Sequence, residues 1–250
     1  MTHINDIAYS MANQQVSKGR ALRLAIIRGH TEAVRLLIEH GADLTIRDKD
    51  GYSYLHHAAG YGRNDIISLL IESGMDINTE GKWNANVLAS LDMRPSRSVD
   101  KVIDTAKLLI AYGIDINNTR RRPLFHAVTL DNIPIAKLLL DNGADVNLND
   151  RIGSYPIHRV HSSEMIDLLL AYGADINQKG SWGQTSLTCN VHTHCGQIIR
   201  YLIKLGADPT NTYTGNHNVI GMTLSEMAKA RGNTDEIVML IRDYEAKWAS

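Results

Sequence analysis

Apolar residues along this chain come in bursts at helical spacing, and each burst stops on a glycine. Six bursts share one register: LLIEHGADL (36–44), LLIESGMDI (69–77), LLIAYGIDI (108–116), LLLDNGADV (138–146), LLLAYGADI (168–176) and YLIKLGADP (201–209). Their glycines, Gly41, Gly74, Gly113, Gly143, Gly173 and Gly206, stand 33, 39, 30, 30 and 33 residues apart. A glycine one step past a helix end supplies the left-handed conformation that satisfies the last carbonyls. A second landmark lies 19 residues ahead of most of them: Leu22, Leu55, Leu124 and Leu187. Ile157 fills the same place only 16 residues ahead of Gly173. The pattern predicts a repeating unit of short helix, tight turn, longer amphipathic helix and extended finger. No such unit buries its apolar face alone, so stability must come from stacked neighbours.

The register slips in four places. Leu88 to Gly113 spans 25 residues, and the extra six fall near DMRPSRS (92–98), a loop by its proline and serines. The finger after Gly113 is three residues short. The fifth unit loses three residues between its helices, where HSS (161–163) turns the chain and Ser162 or Ser163 caps the next helix. The finger after Gly206 is enlarged as TNTYTGNHNVIG (210–221). At the start, Ile4, Ile7, Ala8 and Met11 keep helical spacing and are expected to cover the first unit. DEIVMLIRDYEAKWAS should form a closing helix with its polar side outward.

Around the second landmark stand further recurring residues: Leu55, His56 and Ala58; Pro123, Leu124 and Ala127; Pro156, Ile157 and His158; Thr185 and Leu187; and, in GMTLSEMAKARGN, Thr223, Ala228 and Gly232. With its period near 33 residues, this resembles the T-P-L-H-x-A signature of ankyrin-repeat proteins over roughly residues 17–247. The resemblance implies an all-α solenoid of stacked helix-turn-helix units with β-hairpin-like fingers, about seven units with the outer two as caps. One domain, 1–250, is expected: a cap region and first unit at 1–45, internal repeats at 46–209 and a C-terminal cap at 210–250. In this family His56 and His158 would occupy a histidine position that bonds backbone to fix the finger. The family also implies partner proteins bound through fingertips and the inner face of the first helices.

Aligned on the landmark, the fingers form columns. Five residues before it stand Asp50, Trp83, Thr119, Ile152 and Trp182. Apolar side chains thus recur at a position that is usually small and polar in this family. Neighbouring columns carry Lys49, Lys82 and Arg151, and Tyr52 and Arg121. An apolar and aromatic stripe with basic neighbours has the composition of an interface core and rim. The expected contact surface is therefore Tyr52, Trp83, Ile152 and Trp182, surrounded by Lys49, Lys82, Arg121, Arg122 and Arg151, and extended by Tyr54 and Tyr61 toward the groove. The same tryptophans could instead fold over their own turns.

Composition narrows the function classes. The chain has 250 residues, 44% hydrophobic, with a net charge of −1. This favours a packed core and supplies no global field for nucleic acid or acidic membrane. No apolar run reaches membrane-spanning length, and the first residues lack a secretory pattern. Two cysteines are too few for a disulfide framework, so a cytoplasmic chain is expected; a monomer is favoured, although the apolar fingertips could also serve self-association.

CNVHTHC (189–195) places the zinc-capable Cys189, His192, His194 and Cys195 within seven positions, though not at an established finger spacing. No hydrolase, zincin or phosphate-loop motif accompanies the histidines, so no catalytic residue and no cofactor is expected. Asn78, Asn117, Asn147 and Asn177 each open a finger and are expected to hold their own turns by side-chain hydrogen bonds. The expected function is non-catalytic recognition of another protein with a mixed apolar and acidic surface. A stand-alone inhibitor or immunity-type binder is one form. A scaffold or effector adaptor is another, more often with an added domain or tail that this sequence does not show. A metal protein or enzyme centred on 189–195 is the alternative from a different class.

Overall fold

The structure is a computed structural model that describes residues 18–81, 86–91, 99–117, 122–150, 152–210 and 221–250. The sequence readings on residues 4–11, on the 92–98 insertion, on most of the enlarged finger and on Lys82, Trp83, Arg121 and Arg151 lie outside them. Among the described residues all regular structure is helical. The chain divides into two compact units, Met1–Pro123 and Leu124–Ser250.

The first unit holds α1 (18–28), α2 (Thr31–Glu39), α3 (Tyr54–Gly60), α4 (Asn64–Glu72), a 3₁₀ turn at Val87–Ser90, and α5 (Val99–Ala111). The second begins within α6 (Pro123–Thr129), followed by α7 (Ile133–Asp141), a 3₁₀ turn at Pro156–Arg159, α8 (Ser163–Ala171), α9 (Ser186–His192) and α10 (Gly196–Lys204). It closes with α11 (Leu224–Ala230) and α12 (Asp235–Trp248). Short and long helices alternate, with α3 packed on α4 and on the Val87–Ser90 turn, and α9 on α10 and α11.

Both sequence landmarks have a physical counterpart. Leu22, Leu55, Leu88, Leu124, Ile157 and Leu187 are all buried, as a residue facing neighbouring pairs must be. At the long helices' ends the six glycines adopt φ between +74° and +94°. The amide of Gly41 donates to Ile38 and that of Ala42 to Leu37, both at 2.9 Å, and the pairs repeat at Gly74, Gly113, Gly143, Gly173 and Gly206. This double bond closes the helix and turns the chain toward the finger.

In the third and fifth repeats the predicted first helix is reduced to a single 3₁₀ turn. Leu91 and Val160 are extended at ψ 132° and 142°, which ends each turn. In the fifth repeat the chain must then cross to Ser162, whose hydroxyl accepts the Met165 amide and donates to Asp131 at 2.6 Å. Fewer residues between the helices leave no length for a full α-turn there.

Candidate partner-binding surface

The described fingers are three-residue hairpins. Asp48 donates to the Tyr52 carbonyl at 3.0 Å and accepts from the Gly51 amide at 2.9 Å, with Gly51 at φ +78°. Asp150, Gly153 and Ser154 repeat this geometry, as do Gly180, Gly183 and Gln184. A tight turn followed by a left-handed residue makes such a tip, and glycine suits the left-handed place. The residue just before that glycine is Asp50, Ile152 or Trp182, the column singled out in the sequence.

Two of these tips are braced by an aspartate. Asp48 Oδ1 accepts the amides of Asp50 and Tyr52, and Asp150 Oδ1 those of Ile152 and Ser154, at 2.8–3.0 Å. The third tip has Gly180 in the aspartate place, and Gln184 fills the space. Its side chain occupies the position a Cβ on Gly180 would take, and its Oε1 accepts the Trp182 amide at 2.9 Å. The Gln184 side chain is buried, so the backbone under Trp182 is pinned from inside. Gly153 and Gly180 also let neighbouring fingers touch, since a Cβ on Gly153 would land on Ser181.

Above this support, Ile152 is 49% and Trp182 45% exposed. Both line one cavity of about 300 Å³ in the second unit, together with Arg159, His161, Cys189 and His192. No carboxylate lines it among the described residues. The Arg159 guanidinium lies 5.7 Å from the centre of the Phe125 ring. The structure thus brings Ile152 and Trp182 together at the mouth of a groove with cationic and imidazole groups.

Other expected contact residues are placed differently. Tyr54 is buried and donates from its hydroxyl to the Gly19 carbonyl at 3.2 Å, so it belongs to the packing and not to an exposed surface. Tyr61 is exposed but stands at the far end of α3, beside Gly62, Arg63 and Lys101. Seven residues of helix, about 10 Å of rise, separate it from the finger side. Arg122 is half-buried, with its Nη1 out of solvent. Lys49 is exposed and Tyr52 half-buried, both on the first unit's 48–52 finger.

The repeated histidine does bond backbone. His158 Nδ1 accepts the Tyr155 amide at 3.2 Å, and Nε2 faces the Gln178 carbonyl of the next finger at 2.8 Å. Only the neutral ring with its proton on Nε2 satisfies both contacts, because a proton on Nδ1 would face another N–H. Burial pushes the His158 pKa down, with the Gln178 bond opposing. Burial likewise lowers His57, against the pull of Asp48, and lowers His192, helped by Arg231 and His194. These groups bind protons less readily folded than unfolded, so the stability they support is present above their unfolded pKa of about 6.5 and is lost as pH falls below it. The urea midpoint at pH 5.5 should therefore lie below that at pH 7.5. Equal midpoints would contradict the neutral assignment.

The finger asparagines work differently from expectation. The local turn is held by the aspartate two residues earlier: Asp76, Asp115, Asp145 and Asp175 each accept the asparagine amide at 2.8–2.9 Å. The asparagine side chains reach onward. Asn78 accepts the Asp115 amide at 2.7 Å, Asn177 the Asp208 amide at 2.8 Å, and Asn147 donates to the Gly173 carbonyl at 3.1 Å. They bridge successive repeats.

Of the zinc-capable group, Cys189 and His192 lie on α9, while His194, at φ +58°, bonds the Arg231 carbonyl and Cys195 caps α10. Burial pushes the Cys189 thiol up to about 11, opposite to what a thiolate ligand needs. Among the described residues no three His, Cys, Asp or Glu side chains are grouped to hold a metal ion, and no helix is long and apolar enough to cross a membrane.

Paired helices, glycine-closed long helices and hairpin fingers beside a groove define a helical-repeat protein. A family profile described as ankyrin repeats, three copies, matches residues 4–80 and 98–150, just over half the chain. The chain belongs to the ankyrin-repeat family. Its fold is similar to the crystal structure of the human ASB11 ankyrin repeat domain, with a TM-score of 0.70 and 19% identity over 88% of this chain and 96% of that one. In sequence it is similar to the mouse protein phosphatase 1 regulatory subunit 12A, 36% identical over 80 residues, which are 32% of this chain and 7% of that protein. Similarity to the chicken nuclear factor NF-kappa-B p105 subunit is 33% over 118 residues, 46% of this chain and 12% of that protein. The human Notch-regulated ankyrin repeat-containing protein is 45% identical over 51 residues, 20% of this chain and 45% of that one. The chain therefore spans well under two thirds of each of these last three relatives.

Proposed function

We propose that this protein is a non-catalytic binding module that grips one partner protein through its fingertips and adjoining groove, as a monomer in the cytoplasm. The observation that carries the reading is the pair Ile152 and Trp182, half-exposed on braced tips beside one cavity. An apolar pair on rigid turns loses little freedom when covered, which is what an interface anchor requires. Arg159 beside it, with no carboxylate among the described lining residues, favours a partner surface that mixes apolar and acidic groups. Ankyrin repeats generally mediate protein–protein interaction, and one relative is named as a regulatory subunit of a phosphatase, which supports a binding role.

The experiment is a pull-down from native lysate with wild type and the Ile152→Ala/Trp182→Ala variant, scored by mass spectrometry. Wild type should enrich one protein that the variant loses. The same proteins captured by both would overturn the site.

A further inference from the structure

The first unit carries a second cavity, of about 450 Å³, between the start of α1 and the 46–52 finger. Its floor is apolar and tightly fitted. A Cβ on Gly19 would stand 2.9 Å from Ile46 Cδ1 and 3.1 Å from the Tyr54 hydroxyl, which itself bonds the Gly19 carbonyl. Tyr52 forms a wall, its ring 5.3 Å from that of His56.

The rim is cationic. Arg20, Arg23 and Lys49 line it, all exposed, and none makes a hydrogen bond or ion pair among the described residues. Arg47 differs: it donates to Thr79 and to the carbonyls of Gly51 and Glu80, which fix it to the next finger. Asp48 is the one carboxylate among the described lining residues, and its charge is taken up inside the finger. Its Oδ1 accepts two amides, and its Oδ2 lies 3.0 Å from His57 Nε2. Among the described residues, three cations without an ion pair thus surround an apolar floor.

We infer that this cavity takes an acidic segment of a partner protein, with one apolar side chain on Ile46 and Tyr52, above the buried Tyr54, and flanking aspartate or glutamate carboxylates on Arg20, Arg23 and Lys49. The inference rests on the reading of the chain as a protein-binding module. Arginine forks match carboxylates in two-point geometry. The same floor argues against a bare phosphate ion, which has no apolar part to cover it. Charge complementarity favours a peptide with both features.

The test pans phage-displayed random heptapeptides on the full chain in three forms: wild type, Arg20→Gln/Arg23→Gln/Lys49→Gln, and Ile152→Ala/Trp182→Ala. Wild type should select acidic residues around one apolar residue. The triple variant should lose that selection, and the fingertip variant should keep it. By fluorescence anisotropy, the synthetic consensus peptide should bind the triple variant about tenfold or more weakly, and wild type several-fold more weakly at raised salt.

Circular dichroism melts check that the triple variant folds, and Lys49→Gln alone replaces it if it does not. Selection without acidic residues, or equal binding to the triple variant, overturns the inference. Displacement of the peptide by millimolar inorganic phosphate does so too, since the site would then serve an anion alone. Acidic peptides lost only on the fingertip variant would sink this inference and leave the fingertip reading standing.

Discussion

Trp182→Ala is expected to weaken binding of the captured partner by about 30-fold, equivalent to about 2 kcal/mol. The indole is 45% exposed, so a partner can cover close to half of it, and a change in melting temperature reports the loss of the half that the protein covers itself. The turn that carries it is held by the Gln184 side chain through a backbone amide, which alanine retains. Ile152→Ala at the same cavity should cost less, in proportion to its smaller area. The pair should be less than additive, because both anchors cover one groove. Titration calorimetry with the identified partner measures both constants. A loss below about threefold for Trp182→Ala would show that this tip is not an anchor.

The largest effect on stability should come from Leu139→Ala, at about 3–4 kcal/mol. Leu139 is fully buried in α7, and its carbonyl takes the Ala144 amide that closes the helix. The substitution leaves that bond in place and removes only side-chain volume, so the loss reports a cavity. Leu36→Ala is the matched control: Leu36 is 53% exposed in α2 and the change should stay within about 0.5 kcal/mol. In stacked repeats a cavity is also felt by the adjoining helix, here α8, which packs on α7. Urea unfolding of both variants checks the contrast, and similar losses would contradict the burial assigned to these positions.

Much of this architecture was legible in the sequence because it rests on local rules. A glycine after an apolar burst marks a left-handed helix end, and the six glycines all adopt it. The landmark leucines at constant spacing are the buried ones, and His158 bonds backbone as the family signature implies. Features that depend on a neighbouring repeat were not legible. Tyr54 reads as a groove residue, yet Gly19 in α1 leaves room for it to sink. Tyr61 is seven residues from Tyr54 in sequence but at the opposite end of one helix. The asparagines look like local turn formers, and only the stacking of the next repeat shows what they bond. Gln184 replacing an aspartate brace was hidden for the same reason, although the glycine at 180 preceding Trp182 was a usable sign.

Hydrogen–deuterium exchange of the protein with and without its captured partner tests the central claim most directly. The account predicts slowed exchange at the 150–154 and 180–184 fingers and along α9, with α7, α8 and α10 unchanged. Protection confined to those long helices, with both fingertips exchanging as in the unbound protein, would contradict it.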